Sequence, residues 1–423
     1  MDYQRRILDR RLDELLPDLA AIAIVGAKGV GKTATASRRA RTVLTLTDPE
    51  VRLSAEANHD LVMQVTPPVL IDEWQLVPPT WDRVRRAVDD GAEGGRFLLT
   101  GSADPRPGIR VHSGAGRIVR FTMRPLSFSE RAVAQPTVSL RAILAGERPE
   151  ISGASEVGVD GYVDEILRSG FPGIRKLREP ARDVQLDSYL TTALDRELVE
   201  NGIEVRRAGT LRRWLQAYAA ATATDAAYST ILDAATPAEG DKPSRAAVDS
   251  YREHLTRLFL LDPIDAWIPS FAPLARLTKA PKHHLVDPAL AARLVGVGRA
   301  GLLVGGGQRV SAATGTWLGA LFESLVAQSV RIYAEGIGAR VGHLRTQSTR
   351  HEVDLIVERP DRSIVAIEVK LAASVGDADV THLNWLHSQI GERLIDRIVV
   401  NTGGFAYRRP DGVAVIPLAL LGE

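Results

Sequence analysis

The chain has 423 residues, too many for one ordinary hydrophobic core, so two to four domains are expected. Its 45% hydrophobic and 25% charged residues are a globular balance, and the net charge of +1 excludes a global field for nucleic acid or membranes, so any basic site must be local. The absence of cysteine excludes disulfides, cysteine-ligated zinc and a thiol nucleophile, which fits a cytoplasmic protein.

Lysine is rare in this chain. Of the 53 basic residues 46 are arginines, and the seven lysines lie at positions 28, 32, 176, 242, 279, 282 and 370. A lysine is therefore the uncommon choice in this chain, because arginine would be expected where only positive charge is needed. No apolar run reaches the roughly 18 residues that a membrane span needs, so no membrane partner is expected.

The first predicted element is a buried parallel strand, Ala20 to Val25, followed by a glycine loop and a helix. This order matches G-x-x-x-x-G-K-[ST], in which loop amides and the helix N-terminus bind phosphate, lysine reaches the β- and γ-phosphates and threonine binds Mg²⁺. A glycine-rich turn without a ligand is the alternative. We predict an ATP site whose binding residues are Gly26, Ala27, Lys28, Gly29, Val30, Gly31, Lys32, Thr33 and Ala34, with Lys32 also catalytic and Thr33 a metal ligand.

A second buried strand, Val69 to Ile71, runs into an acidic pair. Asp72 is predicted to hold Mg²⁺ directly or through a water, and Glu73 to orient and polarise the water that attacks the γ-phosphate. An acidic turn that merely closes a strand is the alternative.

A third strand, in "RFLLTGSA", ends in two hydroxyl residues. Ser102, in preference to Thr100, is predicted to sense the γ-phosphate or the attacking water, although a hydroxyl that satisfies a turn has the same pattern. Arg117 is a candidate finger on the nucleotide of a neighbouring subunit, which would make the protein a homo-oligomer. Because arginine is abundant, a solvated Arg117 is the alternative.

The middle of the chain is predicted to be helical. Residues 136–161 are small and polar and predict a surface excursion or linker. The segments "YSTILDAA" and "SRAAVDSYREHL", followed by an apolar stretch from Leu258 to Ile264, indicate helix, turn, helix and the start of a β-wing. In a winged helix, Arg245 and Arg252 would lie near DNA phosphates or bases. A helical spacer is the alternative, because acidic residues on the same helix would repel phosphate.

The C-terminal third carries a second candidate site. Residues 315–335 predict an amphipathic helix with Glu323, and the next segment predicts a hairpin with strands Val353–Val357 and Ile364–Lys370. Alternation places Glu368 and Lys370 on one strand face, where Asp354 and Glu323 could join them.

These residues predict metal-dependent phosphodiester chemistry. Asp354 and Glu368 would bind one or two Mg²⁺ ions, with Glu323 as a third ligand and Glu352 as a substitute. Lys370 would be catalytic by positioning the attacking water, its pKa depressed by neighbouring cations. An inert, exposed strand face would show the same alternation, but arginine would serve there, so the rare lysine favours the functional interpretation.

Residues 1 to about 130 resemble the AAA-type ATPases of bacteria and archaea whose C-terminal half is a domain of unknown function. The resemblance rests on "LDRRLDELLPDLAAIAIVGAKGVGKT", "VLIDEWQLVP", "FLLTGSA" and "GRIVRFTMRPLSFSE"; it departs at Lys28, where arginine is usual, and at Ala34. The C-terminal segment resembles the D…E-x-K core of the restriction-endonuclease-like, PD-(D/E)xK fold. The resemblance implies an α/β protein with an AAA-type P-loop NTPase domain in 1–165, a helical, winged-helix-like region in 166–275 and a restriction-endonuclease-like domain in 276–423.

The favoured hypothesis is a cytoplasmic Mg²⁺-dependent ATPase whose nucleotide state controls a nuclease-like, DNA-binding module. The alternative is a nucleotide-gated DNA-binding regulator, or an antitoxin-like partner, with an inactive nuclease core. A small-molecule kinase is disfavoured, because Asp72 and Glu73 form a hydrolase pairing and no acceptor pocket is indicated.

Overall fold

The computed structural model describes residues 3–102, 113–197, 208–236, 243–269, 280–305, 316–346 and 351–423. The chain divides into two compact units. The first comprises Met1–Arg124, Thr191–Arg206 and Arg252–Leu260, and the second comprises Pro125–Leu190, Arg207–Tyr251 and Leu261–Glu423. The domain boundary predicted near residue 275 lies outside the described residues, and the one at 165 stays a prediction.

The first unit is built on a parallel sheet of five described strands, in the order β2-β3-β4-β1-β5. Strands with both faces covered carry successive apolar residues rather than alternating ones, as Val69, Leu70 and Ile71 of β3 (Val69–Asp72) illustrate. The predicted strands are confirmed. Their bounds are β1 Ala21–Val25, β2 Thr42–Thr45, β3 Val69–Asp72, β4 Phe97–Gly101 and β5 Val119–Thr122.

In the part of residues 1–124 that the structure describes, five α-helices accompany this sheet. A core of apolar side chains packs on the sheet around Trp74 and Trp81, whose ring centroids lie 4.4 Å apart. Asp48 begins one helix by accepting a hydrogen bond from the amide of Glu50, as an N-cap residue does. The helices are α1 Ile7–Leu15, α2 Lys32–Ser37, α3 Pro49–Ala57, α4 Leu61–Gln64 and α5 Pro79–Asp89.

The remaining described helices lie between residues 140 and 390 of the chain. Tyr228–Ala235 coincides with the predicted helix "YSTILDAA", which is confirmed. The bounds are α6 Leu140–Leu144, α7 Val159–Arg168, α8 Glu179–Thr192 (continued by a π-helical turn, Ala193–Glu197), α9 Ala208–Ala220, α10 Tyr228–Ala235, α11 Arg245–Arg257, α12 Pro288–Val295, α13 Arg299–Leu303, α14 Trp317–Gly336 and α15 Thr381–Ile390.

The prediction that residues 136–161 form a surface excursion or linker is wrong for residues 138–144, whereas most of residues 145–158 are irregular and exposed or half-buried. This segment contains a short strand, β6 (Val138–Ser139), and the helix α6, on which Leu140, Ile143 and Leu144 are buried. The strand pairs in parallel with β13 (Leu421–Gly422). Small and polar residues around these three apolar side chains concealed a packed element.

The residues just before β6 are also part of the second unit. The amide of Leu126 donates to the carbonyl of Gly170 at 2.8 Å, and the amide of Phe128 donates to Ser329 Oγ at 3.0 Å. The fully buried guanidinium of Arg131 donates to the carbonyl oxygen of Glu165 at 2.7 Å and lies 3.4 Å from its carboxylate. This segment is therefore held by backbone and charged contacts.

The second unit contains a mixed sheet in the order β11-β12-β10-β9-β8-β7. The predicted hairpin is confirmed, because β8 and β9 pair antiparallel, while β9, β10 and β12 pair in parallel. The exposed face considered for β9 is absent: all six of its residues are buried. The strands are β7 Arg340–Arg345, β8 Glu352–Glu358, β9 Ile364–Val369, β10 Leu394–Asn401, β11 Tyr407–Arg408 and β12 Ala414–Pro417.

The stretch expected to begin a β-wing runs beside another extended segment. Leu261 and Ile264 form antiparallel bridges with Leu285 and Lys282. On the helix α11, Arg245 is exposed, while Arg252 is half-buried. The winged helix and its DNA contacts stay predictions. No helix in the described part of the chain combines the length and the apolar character that a bilayer crossing requires.

Candidate nucleotide site and C-terminal carboxylate cluster

The glycine loop joins β1 to α2, and its first glycine is required by a close backbone approach. Gly26 has a φ of 147°, and a Cβ added to it would lie 2.2 Å from the carbonyl oxygen of Met123. Met123 is held there because its amide donates to the carbonyl of Val25 at 2.7 Å. Because β5 pairs in parallel with β1 and the next residue, Met123, lies against Gly26, only glycine fits at this position.

Lys32 points back into the loop. Its Nζ donates to the carbonyl oxygens of Gly26 at 2.7 Å and Ala27 at 2.9 Å, and the residue is buried. Lys28 and Gly29, at the crest of the loop, are exposed. The ammonium group therefore lies inside the loop, where phosphate oxygens could take the place of the carbonyl acceptors.

Arg6, the residue directly before α1, stabilises the glycine loop through two hydrogen bonds. Its Nη1 donates to the carbonyl of Val30 at 2.8 Å, and its Nη2 donates to the carbonyl of Arg124 at 2.7 Å. Arg6 could not be singled out from the sequence, because it is one of 46 arginines and belongs to no motif.

Two hydroxyl groups converge on Asp72 at the carboxyl end of the sheet. Thr33 Oγ1 donates to Asp72 Oδ1 at 2.8 Å, and Thr100 Oγ1 donates to the same oxygen. Thr100 lies there because β3 and β4 are in register, with Asp72 opposite Thr100. A threonine hydroxyl and a carboxylate are hard oxygen donors, so the residues present fit Mg²⁺ shared with phosphate oxygens.

Glu73 follows directly and is restrained by two partners. Its φ of 56° lies in the left-handed region, which is uncommon for a residue with a side chain. Ser102 Oγ donates to Glu73 Oε2 at 3.0 Å, and Gln75 Nε2 donates to the same oxygen. Thus Ser102 contacts Glu73, whereas Thr100 contacts Asp72; sequence analysis did not identify Gln75.

Arg117 contacts its own subunit. Its Nε donates to Asp89 Oδ1 at 2.7 Å, and its side chain is 47% exposed. This hydrogen bond lowers the pKa of the Asp89 carboxyl. A role for Arg117 at the nucleotide of a neighbouring subunit stays a prediction.

The second unit brings the predicted residues into one partly buried cluster and adds Lys282. The predicted residues are Glu323, Glu352, Asp354, Glu368 and Lys370. Lys282 Nζ lies 2.9 Å from Glu323 Oε1, 2.9 Å from Asp354 Oδ1 and 3.0 Å from Glu352 Oε1. Lys370 Nζ lies 3.3 Å from Glu368 Oε2. We call these six residues the carboxylate cluster.

The electrostatics of the carboxylate cluster follow from burial and mutual charge. Burial alone would lower the pKa of Lys282, but the charges of Asp354, Glu323 and Glu352 outweigh it and hold that pKa well above its usual value. Burial, reinforced by Asp354, raises the pKa of Glu323 to about 8. Burial and Asp354 likewise raise the pKa of Glu368 well above its usual value.

The depressed pKa expected for Lys370 is wrong. Burial does act in that direction, but the nearby charges of Glu368 and Asp354 outweigh it and raise the pKa of Lys370. The cations of the cluster are surrounded by acids, so each ammonium group is stabilised in its charged form.

A divalent ion does not fit the carboxylate cluster as it is arranged. The Lys282 ammonium group lies within hydrogen-bond distance of three of the four carboxylates. In the described ranges, no group of three or more histidine and acidic side chains is arranged to hold a metal ion. Sequence analysis missed Lys282, for which the rarity of lysine was the only signal.

Residues 19–132 match the family described as "AAA domain". This match and the parallel sheet together support an AAA-like domain in that part of the chain. Residues 159–300 and 318–421 match two families described as domains of unknown function, DUF8612 and DUF4143.

The curated relatives have low sequence identity to this chain. Two uncharacterized proteins, Mb2031c of Mycobacterium bovis and Rv2008c of Mycobacterium tuberculosis, are each 25% identical over 312 residues, which is 70% of this chain. The alignment spans only 61% of the length of each relative.

Among solved structures, the Walker-type ATPase PABY2304 of Pyrococcus abyssi has a TM-score of 0.36 at 14% identity, covering 68% of this chain and 94% of that one. The Aeropyrum pernix ORC2 protein has a TM-score of 0.28 at 18% identity, covering 68% and 90%. At these scores the likeness carries no inference.

Proposed function

We propose that the protein is a Mg²⁺-dependent ATPase. The contact between Thr33 and Asp72, at 2.8 Å, carries this proposal, because it joins the end of the glycine loop to the acidic end of β3. Residues 26–34 would bind the triphosphate, with Lys32 at the β- and γ-phosphates. Thr33 and Asp72 would hold Mg²⁺, which neutralises charge on the phosphate oxygens when bound.

Glu73 would orient the attacking water in this ATPase. The hydrogen bonds from Ser102 and Gln75 to Glu73 Oε2 restrain the carboxylate. A water that donates a hydrogen bond to the other oxygen, Oε1, would therefore be held in a fixed orientation. Ser102 would then act on the water through Glu73, as a positioning residue.

The test compares ATP binding and turnover in the full chain. We expect Lys32→Ala to lose ATP binding, and Glu73→Gln to bind ATP while its kcat falls by about 10²-fold or more, as for loss of a general base. Lys176→Ala, which removes an exposed lysine, serves as the matched control. Equal turnover in wild type and Lys32→Ala would remove the proposal.

We also propose that nucleotide state controls the second unit as a nuclease-like, DNA-binding module. The adjacent strands that carry Asp354 and Glu368 support this part. The helix α11, which carries Arg245 and Arg252 and is shared between the two units, would supply the contacts with DNA. Retention of duplex DNA that changes with ATP, and weakens in Arg245→Ala with Arg252→Ala, is the expected result. No retention in any nucleotide state would contradict it.

A second candidate function is a nucleotide-gated regulator, or an antitoxin-like binding partner, without nuclease activity. The three contacts between Lys282 and carboxylates favour it, because they occupy the groups that a nuclease would use for metal. Plasmid DNA incubated with Mg²⁺ distinguishes the two. Cleavage by wild type that is lost in Asp354→Ala with Lys370→Ala would support a nuclease, and no cleavage by either would support the regulator.

A further inference from the structure

We propose that the Lys282 ammonium group is the internal cation of the carboxylate cluster, that it takes the place of a divalent ion there, and that removing it creates a divalent-cation site. This inference concerns the second unit alone and does not rest on ATP hydrolysis.

Lys282 contacts three carboxylates at once. Its ammonium group donates to Glu323 Oε1 and Asp354 Oδ1, each at 2.9 Å, and forms an ion pair with Glu352 Oε1 at 3.0 Å. An ammonium group has only donors, so all of its close polar contacts are with acceptor oxygens. Partners come from α14 and β8, and the ammonium group joins them as a shared ion would.

The backbone holds Lys282 in this position. Its amide donates to the carbonyl of Ile264 at 2.8 Å, and its carbonyl accepts from the amide of Ile264 at 2.9 Å. The residue is 1% exposed. Withdrawal of the side chain would leave buried carboxylates without a counter-charge, which is strongly unfavourable. The cation is therefore a fixed part of the fold.

The cluster without Lys282 has the composition of a divalent-cation site. Glu323, Glu352 and Asp354 would present carboxylate oxygens to the space that the ammonium group fills, and carboxylates are the ligands preferred by Mg²⁺ and Mn²⁺. An additional acceptor lies beside them: Glu368 is 3% exposed, and its Oε1 has no hydrogen-bond partner among the described residues. Lys370, bound to Glu368, would remain as the local positive charge.

The charge balance explains why an internal cation is needed. With every group ionised, the four carboxylates and two ammonium groups of the carboxylate cluster have an excess of two negative charges. Arg345 is the nearest further cation, with Nε 3.9 Å from Glu352 Oε2. Loss of the Lys282 charge would increase the excess by one, and a divalent ion would offset it.

The experiment measures Mn²⁺ binding to the full chain without nucleotide, by calorimetry and by electron paramagnetic resonance. The parent chain carries the single change Asp72→Asn, so that the nucleotide site contributes no metal binding, and every variant is made in this parent. We expect the Lys282→Met chain to bind one Mn²⁺ at least tenfold more tightly than the parent, and adding Asp354→Asn to abolish that gain. Lys282→Arg, which keeps the charge, and Lys176→Met, which removes an exposed lysine, should both bind like the parent.

Two outcomes would overturn the proposal. One is a parent chain that binds Mn²⁺ at a site removed by Asp354→Asn, since the ammonium group would then not exclude the metal. The other is a folded Lys282→Met chain, verified by circular dichroism, whose Mn²⁺ affinity equals that of the parent. If Lys282→Met does not fold, the comparison of the parent with Asp354→Asn still decides the first point. Failure of ATP hydrolysis would leave all these results unchanged.

Discussion

At the residue scale, Gly26 shows how one backbone contact decides an identity in the nucleotide loop. The sequence motif specifies glycine here, but it gives no reason. The structure supplies one, because a Cβ would lie 2.2 Å from the carbonyl oxygen of Met123. The motif residues of the loop could thus be predicted from sequence, whereas the strand that enforces this glycine could not.

We therefore expect Gly26→Ala to destabilise the protein by about 1–3 kcal/mol, as overpacking against a fixed backbone does, and to weaken ATP binding. Urea unfolding and ATP titration measure the two effects. Gly91→Ala is the matched control, because Gly91 also has a positive φ, of 88°, but a Cβ there would meet nothing within 4 Å. Equal losses in both variants would assign the effect to backbone strain alone.

His284 is a second residue with a measurable consequence. It is buried, neither ring nitrogen has a hydrogen-bond partner among the described residues, and burial together with the charges of Lys282 and Arg331 holds its pKa well below the usual value. In the unfolded chain a histidine takes up its proton near pH 6.5. The stability it contributes is therefore complete above about pH 6.5 and is lost as the pH falls, by at most about 1.4 kcal/mol per unit.

His284→Leu should consequently show a smaller drop in Tm between pH 7 and pH 5.5 than wild type. The exposed His387, changed to leucine, should leave the drop as it is in wild type. A His284→Leu curve parallel to that of wild type would show that this histidine is not the group that titrates.

At the scale of elements, sequence predicted what depends on neighbouring residues and missed what depends on distant ones. The strands β1, β3 and β4 begin as apolar runs, and β8 and β9 combine apolar residues with a polar turn between them, so their local pattern sufficed. The helix α6 was missed because its three buried residues lie among small polar ones. Lys282 was missed because its partners Glu323 and Asp354 are 41 and 72 positions away along the chain.

The hydroxyl groups of Ser102 and Thr100, at the end of β4, are predicted to have different roles in turnover. Ser102 bonds Glu73 and Thr100 bonds Asp72. If the ATPase proposal holds, Ser102→Ala should lower kcat about tenfold, the equivalent of one hydrogen bond to a charged group, with KM for ATP unchanged. Thr100→Val should instead raise the Mg²⁺ concentration needed for half-maximal turnover. Steady-state kinetics at varied ATP and Mg²⁺ distinguish these effects, and identical profiles for the two variants would contradict the assignment.

At the scale of the whole molecule, control of one site by another is a coupling free energy and must be reciprocal. If ATP changes the affinity of the chain for duplex DNA by some factor, duplex DNA must change the affinity for ATP by the same factor. Glu73→Gln allows both dissociation constants to be measured without hydrolysis. A factor of one in each direction would leave the ATPase and the DNA-binding module as independent activities.

The pairing of β6 with β13 also decides how the chain can be cut for study. An expression fragment starting at residue 159, where the match to the middle family begins, would lack the strand partner of Leu421–Gly422. It would also lack Arg131 and so leave the Glu165 carboxylate without one of its buried counter-charges. Fragments that start at Pro125 retain both contacts, and they should remain in solution where the shorter ones precipitate.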